Sequence, residues 1–149
     1  MIFADASFLV SLYLPLDRFS AQARASASSF TDALAYPLLT ELEVANTLWR
    51  AVGEKRIPAS TARVLGRELK ADLAAGLLQP CALDCVTHYR KAMELSGQYA
   101  AQHLCRALDV LHVAAALLLE TPLFASFDQR QRQLALSVGL KVLPPKIAP

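Results

Sequence analysis

Four acidic residues sit where this chain turns from one element to the next: Asp5 in IFADAS, Glu43 in LLTELEV, Asp109 in RALDVLH and Asp128 in LFASFDQ. Carboxylates brought close together resist joint ionisation, so a group of them makes chemical sense around a shared cation. Oxygen-only ligands suit Mg²⁺, with Mn²⁺ as its substitute, rather than zinc. An ion held by carboxylates activates water and stabilises a phosphoryl transition state, and that points to phosphodiester hydrolysis.

Each acid also has a plainer reading. Asp5 at a strand end is explained by solvation. Thr40-x-x-Glu43 has the form of a capping box. Asp109 suits a helix N-terminus, or a pair with Arg106. Asp128 before QRQRQ reads as an N-cap. The argument rests on the four positions taken together.

The elements that must position them follow an α/β pattern of short apolar runs and helical stretches, which favours a mostly parallel sheet. Ile2–Ala4 reads as a strand ending at Asp5. Ser7 caps a short helix through Tyr13, stopped near Pro15. A second helix is expected over 20–33 and a brief strand over Tyr36–Leu39. Thr40 opens a helix to Val52, placing Glu43 in its first turn. Pro58 opens another to Ala75. Leu77–Leu83 is strand-like, and Pro80 confines it to an edge or makes it irregular. Helices are expected over 84–103, 107–119 and 129–138, with strands over 123–127 and 141–143. The helix 107–119 has no polar face, so it is expected to be buried, with Leu108, Val110 and Leu111 in the core and Asp109 looking outward. In open parallel sheets ligands gather beyond the carboxyl ends of the strands, where these acids are expected to meet.

At 149 residues and 54% apolar composition the chain suits one domain, spanning residues 1–149, with a real core. A net charge of +2 excludes a generally basic nucleic-acid clamp. Asp5 interrupts the first apolar run, which excludes a signal peptide, and no run is long enough for a membrane span. The three cysteines read as small buried thiols in a reducing cytoplasm, with a zinc site at Cys81, Cys85 and His88 as the weaker alternative.

The stretches IFADASFLVSLYLP (2–15), LLTELEVANTLWRA (38–51), RALDVLHVAAALLL (106–119) and LFASFDQRQRQLALSVGLKVLPP (123–145) resemble, in order and spacing, PIN-domain proteins and among them VapC-type toxin ribonucleases. The resemblance implies a three-layer α/β/α sandwich around a parallel sheet. It places the family's four catalytic acids on Asp5, Glu43, Asp109 and Asp128, with Asp5 and Asp109 holding Mg²⁺. Glu41 is a rival for the second position. It further implies a cytoplasmic endoribonuclease acting on structured RNA, leaving a 5′-phosphate and a 3′-hydroxyl, commonly dimeric and held inactive by a partner antitoxin. Many relatives carry another acid just after the fourth; here Gln129 and Arg130 stand there, so a two-metal mechanism is not implied.

Accessory residues are read more plainly. Ser7 caps a helix or bonds a water at the site. Asn46, a turn beyond Glu43, either faces the same pocket or is a surface amide. His112 is a satisfied core histidine rather than a general base. Arg63, Arg67 and Lys70 form one basic stripe, and Arg50, Lys55 and Arg56 a second group; both suit an RNA backbone or plain solvation. Phe8, Leu12, Tyr13 and Phe19 are core or partner surface. The rival classes are a housekeeping RNA-processing nuclease, a catalytically silent binding module and a receiver-like regulatory domain. The receiver reading wants paired early acids, which are lacking, and no glycine-rich loop follows the first strand as a nucleotide-binding domain would need.

Overall fold

A computed structural model describes residues 1–147. The strands are β1 (Ile2–Ala4), β2 (Leu34–Pro37), β3 (Leu78–Cys81), β4 (Leu123–Ala125) and β5 (Lys141–Leu143). They form one five-stranded sheet in the order β3-β2-β1-β4-β5. Every pairing is parallel, with Phe3 opposite Ala35 on one side of β1 and Phe124 on the other. Pro80, which cannot donate to a ladder, does lie on the edge strand.

The helices are α1 (Ala6–Tyr13), α2 (Ser20–Ala27), α3 (Leu38–Gly53), α4 (Ala59–Ala74), α5 (Cys85–His103), α6 (Ala107–Leu118) and α7 (Gln129–Ser137). Side chains alternate across each strand, and this divides the core in two. Ile2, Ala4, Leu34 and Tyr36 pack with Phe8, Val44, Leu48 and Leu65, from α1, α3 and α4. Phe3, Ala35 and Phe124 pack with Leu95, Val113 and Leu134, from α5, α6 and α7. The result is the three-layer α/β/α sandwich expected from the sequence.

Three local readings are corrected. The second helix ends at Ala27 rather than Ala33, because the Ser28 and Ser29 hydroxyls bond back to the carbonyls of Ala25 and Ser26 and compete with further helix. The α3 helix begins at Leu38, directly from Pro37, so Thr40 lies inside it and Glu43 falls in the second turn. No capping box forms there, and the buried Thr40 hydroxyl has no hydrogen-bond partner. Ser7 does not cap α1: Asp5 does, accepting from the Phe8 amide at 2.8 Å.

In α6 the residues from Asp109 to Ala116 are all buried. Leu108, expected in the core, is 44% exposed, because the first turn of α6 opens onto the crevice described below. The cysteines are all free; Cys85 is exposed and the other two half-buried, so they are not core thiols. Cys85 is the first residue of α5, and Cys81 ends the edge strand. His88 is buried with its Nε2 2.8 Å from the Leu111 carbonyl, pinning α5 to α6. Among the described residues no helix is long and apolar enough to cross a membrane.

Candidate active site

The chain runs from β1 outward to β3 and then returns to the other side of β1 with β4. That reversal makes β1 and β4 a topological switch point, where parallel sheets open a crevice at their carboxyl edge. A crevice of about 730 Å³ lies there, lined by Ser7, Glu43, Thr47, Asp109, Asp128 and Gln131 among others. Three of the four acids expected from the sequence therefore share one cavity. The fourth, Asp5, lies beneath it, fully buried and hydrogen-bonded to Ser7.

Each carboxylate is fixed by a local device. Asp5 follows β1, its amide bonded to Ala125 of β4 at 3.0 Å. Its carboxylate accepts from the Phe8 amide and from the hydroxyls of Ser7 and Ser126, at 2.7–2.9 Å. Burial nevertheless pushes its pKa up from 3.8 to about 6, against the opposing pull of His112 and of these hydrogen bonds. Ser7 also accepts from the Phe127 amide at 2.9 Å, so one hydroxyl ties the start of α1 to the turn after β4.

Asp109 takes the Arg106 amide at 2.8 Å; its bond is to the backbone of Arg106, not to the guanidinium. Its other oxygen faces the Gln131 amide nitrogen at 3.4 Å. Asp128 caps α7 through Oδ1, accepting from the Arg130 and Gln131 amides, as a plain N-cap would. Glu43 is held through Oε2 by Nε2 of His112. His112 is fully buried and packs edge-on against Phe3. It is a core residue, as read from the sequence, but its polar edge serves a site carboxylate.

Other expectations divide. Asn46 is exposed and absent from the crevice wall; Thr47, one full turn after Glu43, takes that place. Glu41 is exposed and lines a separate apolar hollow beside Pro80 and Leu83. Arg50 and Arg56 both pair with Glu54, at 3.3 and 2.8 Å, which neutralises part of that basic group. Arg63, Arg67 and Lys70 are exposed on α4.

Three residues escaped the sequence reading. Asp17 lines the crevice and accepts from the Ser11 hydroxyl and the Phe19 amide; the Asp-x-Phe turn was its only signal. Gln131 is buried there, with Oε1 lacking a hydrogen-bond partner. Arg132 is buried and donates to the carbonyls of Ser126, Leu143 and Pro144 at 2.8–3.2 Å. Burial lowers its pKa while Asp5 opposes the shift. Nothing in QRQRQ distinguished the arginine that turns inward from the one that does not.

The donors offered to a cation are the carboxylates and the unpartnered Gln131 Oε1, all of them oxygen. Among the described residues no three His, Cys, Asp or Glu side chains stand close enough to hold one ion. A closed cage of the zinc type is therefore not what these residues build. They fit Mg²⁺, which keeps several waters and takes only one or two carboxylates.

A parallel sandwich whose switch-point crevice is walled by acids defines a class of α/β proteins. Within it, the chain belongs to the PIN-domain family, whose model matches residues 2–136. Among solved structures it is similar to Mycobacterium tuberculosis VapC20, a sarcin-ricin loop cleaving toxin, at 15% identity and a TM-score of 0.68, over 89% of this chain and 94% of that one. At that identity the likeness is one of fold. No curated protein sequence matches the chain.

Proposed function

We propose that this PIN-domain protein is a Mg²⁺-dependent endoribonuclease, with Mn²⁺ as a substitute, and the toxin of a toxin–antitoxin pair acting in the cytoplasm. The observation that carries the reading is the Asp5 carboxylate, buried at the base of a crevice walled by Glu43, Asp109 and Asp128. The hydrogen bonds to Asp5 offset only part of the cost of burying its charge, and a shared cation would offset more.

Asp109 and Asp5 would hold the ion, directly or through water, and Gln131 Oε1 offers a neutral oxygen beside Asp109. When bound, the ion supplies Lewis acidity at the scissile phosphate and a more acidic water. Glu43, fixed by His112, and Asp128, fixed by its own helix cap, stand on the crevice wall, where they would orient an attacking water and accept its proton. Ser7 and Ser126 hold the Asp5 carboxylate in one orientation.

The fold neighbour's action on a sarcin-ricin loop makes hairpin RNA the first substrate to test. As the resemblance implies, a second copy and an antitoxin are the proposed protein partners. Finding a neighbouring gene for a small DNA-binding protein with a tail would favour the toxin reading over a housekeeping nuclease.

The test is cleavage of end-labelled RNA by nuclease-free preparations. Wild type cuts in Mg²⁺ and stops in EDTA, and Asp5→Asn does not cut although it unfolds as a native protein. Wild-type cleavage by Asp5→Asn would overturn the assignment.

A further inference from the structure

One wall of the crevice is aromatic, and the carboxylate chemistry makes no use of it. Phe19 follows α1 in a turn fixed by Asp17, whose carboxylate accepts from the Phe19 amide at 2.9 Å and from the Ser11 hydroxyl at 2.7 Å. The Phe19 ring stacks on Phe127, with centroids 4.5 Å apart and planes 7° from parallel. Phe127 stacks in turn on the fully buried Phe8, at 5.6 Å and 10°. The column is thus anchored in the core at one end. At the other end Phe19 is half-buried and faces the crevice. The exposed Arg18 lies over the ring, with its Cζ 4.2 Å from the centroid.

Phe19 is a half-buried phenylalanine packed against the core. It presents a flat π surface under a displaceable guanidinium, in the same cavity as Glu43, Asp109 and Asp128. Nucleobases stack on such surfaces whatever their sequence. Arg106 lines the same crevice and adds a second guanidinium for phosphate.

We propose that Phe19 and Arg18 form a base-stacking subsite for one unpaired nucleotide of an RNA, beside the phosphate presented to the carboxylates; this rests on the nuclease reading above. The base takes the place over the ring that Arg18 covers, and the guanidinium is released toward a neighbouring phosphate. A base inside a duplex is already stacked on its neighbours, so the subsite selects loops, bulges and single strands.

The experiment titrates the full-length protein, in EDTA to prevent cleavage, against a short single-stranded oligoribonucleotide. Each position in turn is made abasic or replaced by fluorescent 2-aminopurine. One position is expected to bind about tenfold more weakly when abasic, and 2-aminopurine there to be quenched. Phe19→Leu, which keeps an apolar side chain, should erase that difference, and Phe19→Trp should keep it. Equal binding of every abasic oligonucleotide by wild type would overturn the subsite, and that arm needs no variant to fold. Discrimination by Phe19→Leu equal to wild type would overturn it as well, leaving this face to a protein side chain. Cleavage in Mg²⁺ is scored separately: cutting without base sensitivity sinks the subsite alone, and base-sensitive binding without cutting sinks the nuclease reading alone.

Discussion

His112 on α6 bonds through Nε2 to Glu43 on α3, joining the helical layers on opposite faces of the sheet across its carboxyl edge. The imidazole is fully buried and its Nδ1 has no hydrogen-bond partner, so its whole polar function is spent on that one carboxylate. His112→Ala is expected to lose roughly 2–4 kcal/mol of stability, through the cavity and the freed carboxylate. Cleavage should also fall, because Glu43 is no longer oriented. A double-mutant cycle with Glu43→Gln, read by urea denaturation, should give a coupling of about 1 kcal/mol or more. Simple additivity would show that the pair does not act as a unit.

Asp5 makes a prediction with a defined sign. Its folded pKa of about 6 lies above the ordinary 3.8, so the folded state binds its proton more tightly than the unfolded state does. Its contribution is therefore fully favourable below about pH 4 and is lost as pH rises through about 6, a difference on the order of 3 kcal/mol. Asp5→Asn removes the titration and keeps an oxygen to accept from the Phe8 amide, while its amide nitrogen would donate to the Ser126 hydroxyl, which in wild type donates to Asp5. In EDTA, the variant should gain on wild type between pH 4 and 6 and hold that gain at higher pH. Parallel stability profiles across that window would contradict the raised pKa of the buried acid.

Divalent metal should reverse that advantage. An ion that binds only the folded protein stabilises it by about 2.7 kcal/mol at a hundred times its dissociation constant. Thermal melting of wild type is expected to rise with Mg²⁺, and Asp109→Asn and Asp5→Asn to blunt the rise. Asp128→Asn should fold normally, since asparagine caps a helix as well as aspartate does, while its cleavage falls. Identical Mg²⁺ responses in all four proteins would remove the ion from Asp5 and Asp109.

What could be read in advance follows from how locally each feature is encoded. The short apolar runs and the helix 107–119 announce a layered α/β fold, because burial is written in composition. Asp5 is legible because it directly follows the first strand, and Asp128 because it stands where an N-cap is expected before QRQRQ. Glu43 lines the crevice, but not by way of the capping box its spacing suggests. Thr40 and Glu43 have capping-box spacing, yet α3 starts at Leu38 because β2 runs directly into it at Pro37. Long-range choices are not written locally. Nothing near Arg132 says that its guanidinium will reach the residues after β5, and nothing near His112 says that Glu43, 69 residues earlier, will meet it.

Arg132 is a third buried polar group with a measurable role. It ties the Ser126 carbonyl after β4 to those of Leu143 and Pro144 at the end of β5. Ser126 in turn donates to Asp5 at 2.7 Å and accepts from the Asp128 amide at 3.0 Å. Arg132→Ala leaves several carbonyls without a donor and should destabilise by about 3 kcal/mol or more. Arg132→Lys retains the charge without the planar fork and should fall between. Denaturation midpoints order the three proteins; a neutral Arg132→Ala would mean that water replaces the guanidinium at no cost.

The basic residues differ in how near they stand to the crevice, and salt can rank them. Arg18 and Arg106 line it, whereas Arg63, Arg67 and Lys70 lie exposed on α4 outside its wall. Each phosphate neutralised on a single strand contributes about 0.7 to the slope of log affinity against log salt. Replacing Arg18 and Arg106 with Gln should therefore flatten the slope for a single-stranded RNA by about 1.4 if both reach phosphates. The triple neutralisation on α4 flattens it further only if the RNA runs beyond the crevice onto that helix. Lengthening the RNA separates the two contributions: the first is already present with a short oligonucleotide, and the second appears only with a longer one. An unchanged slope after Arg18 and Arg106 are both replaced would mean that the crevice arginines do not meet the backbone.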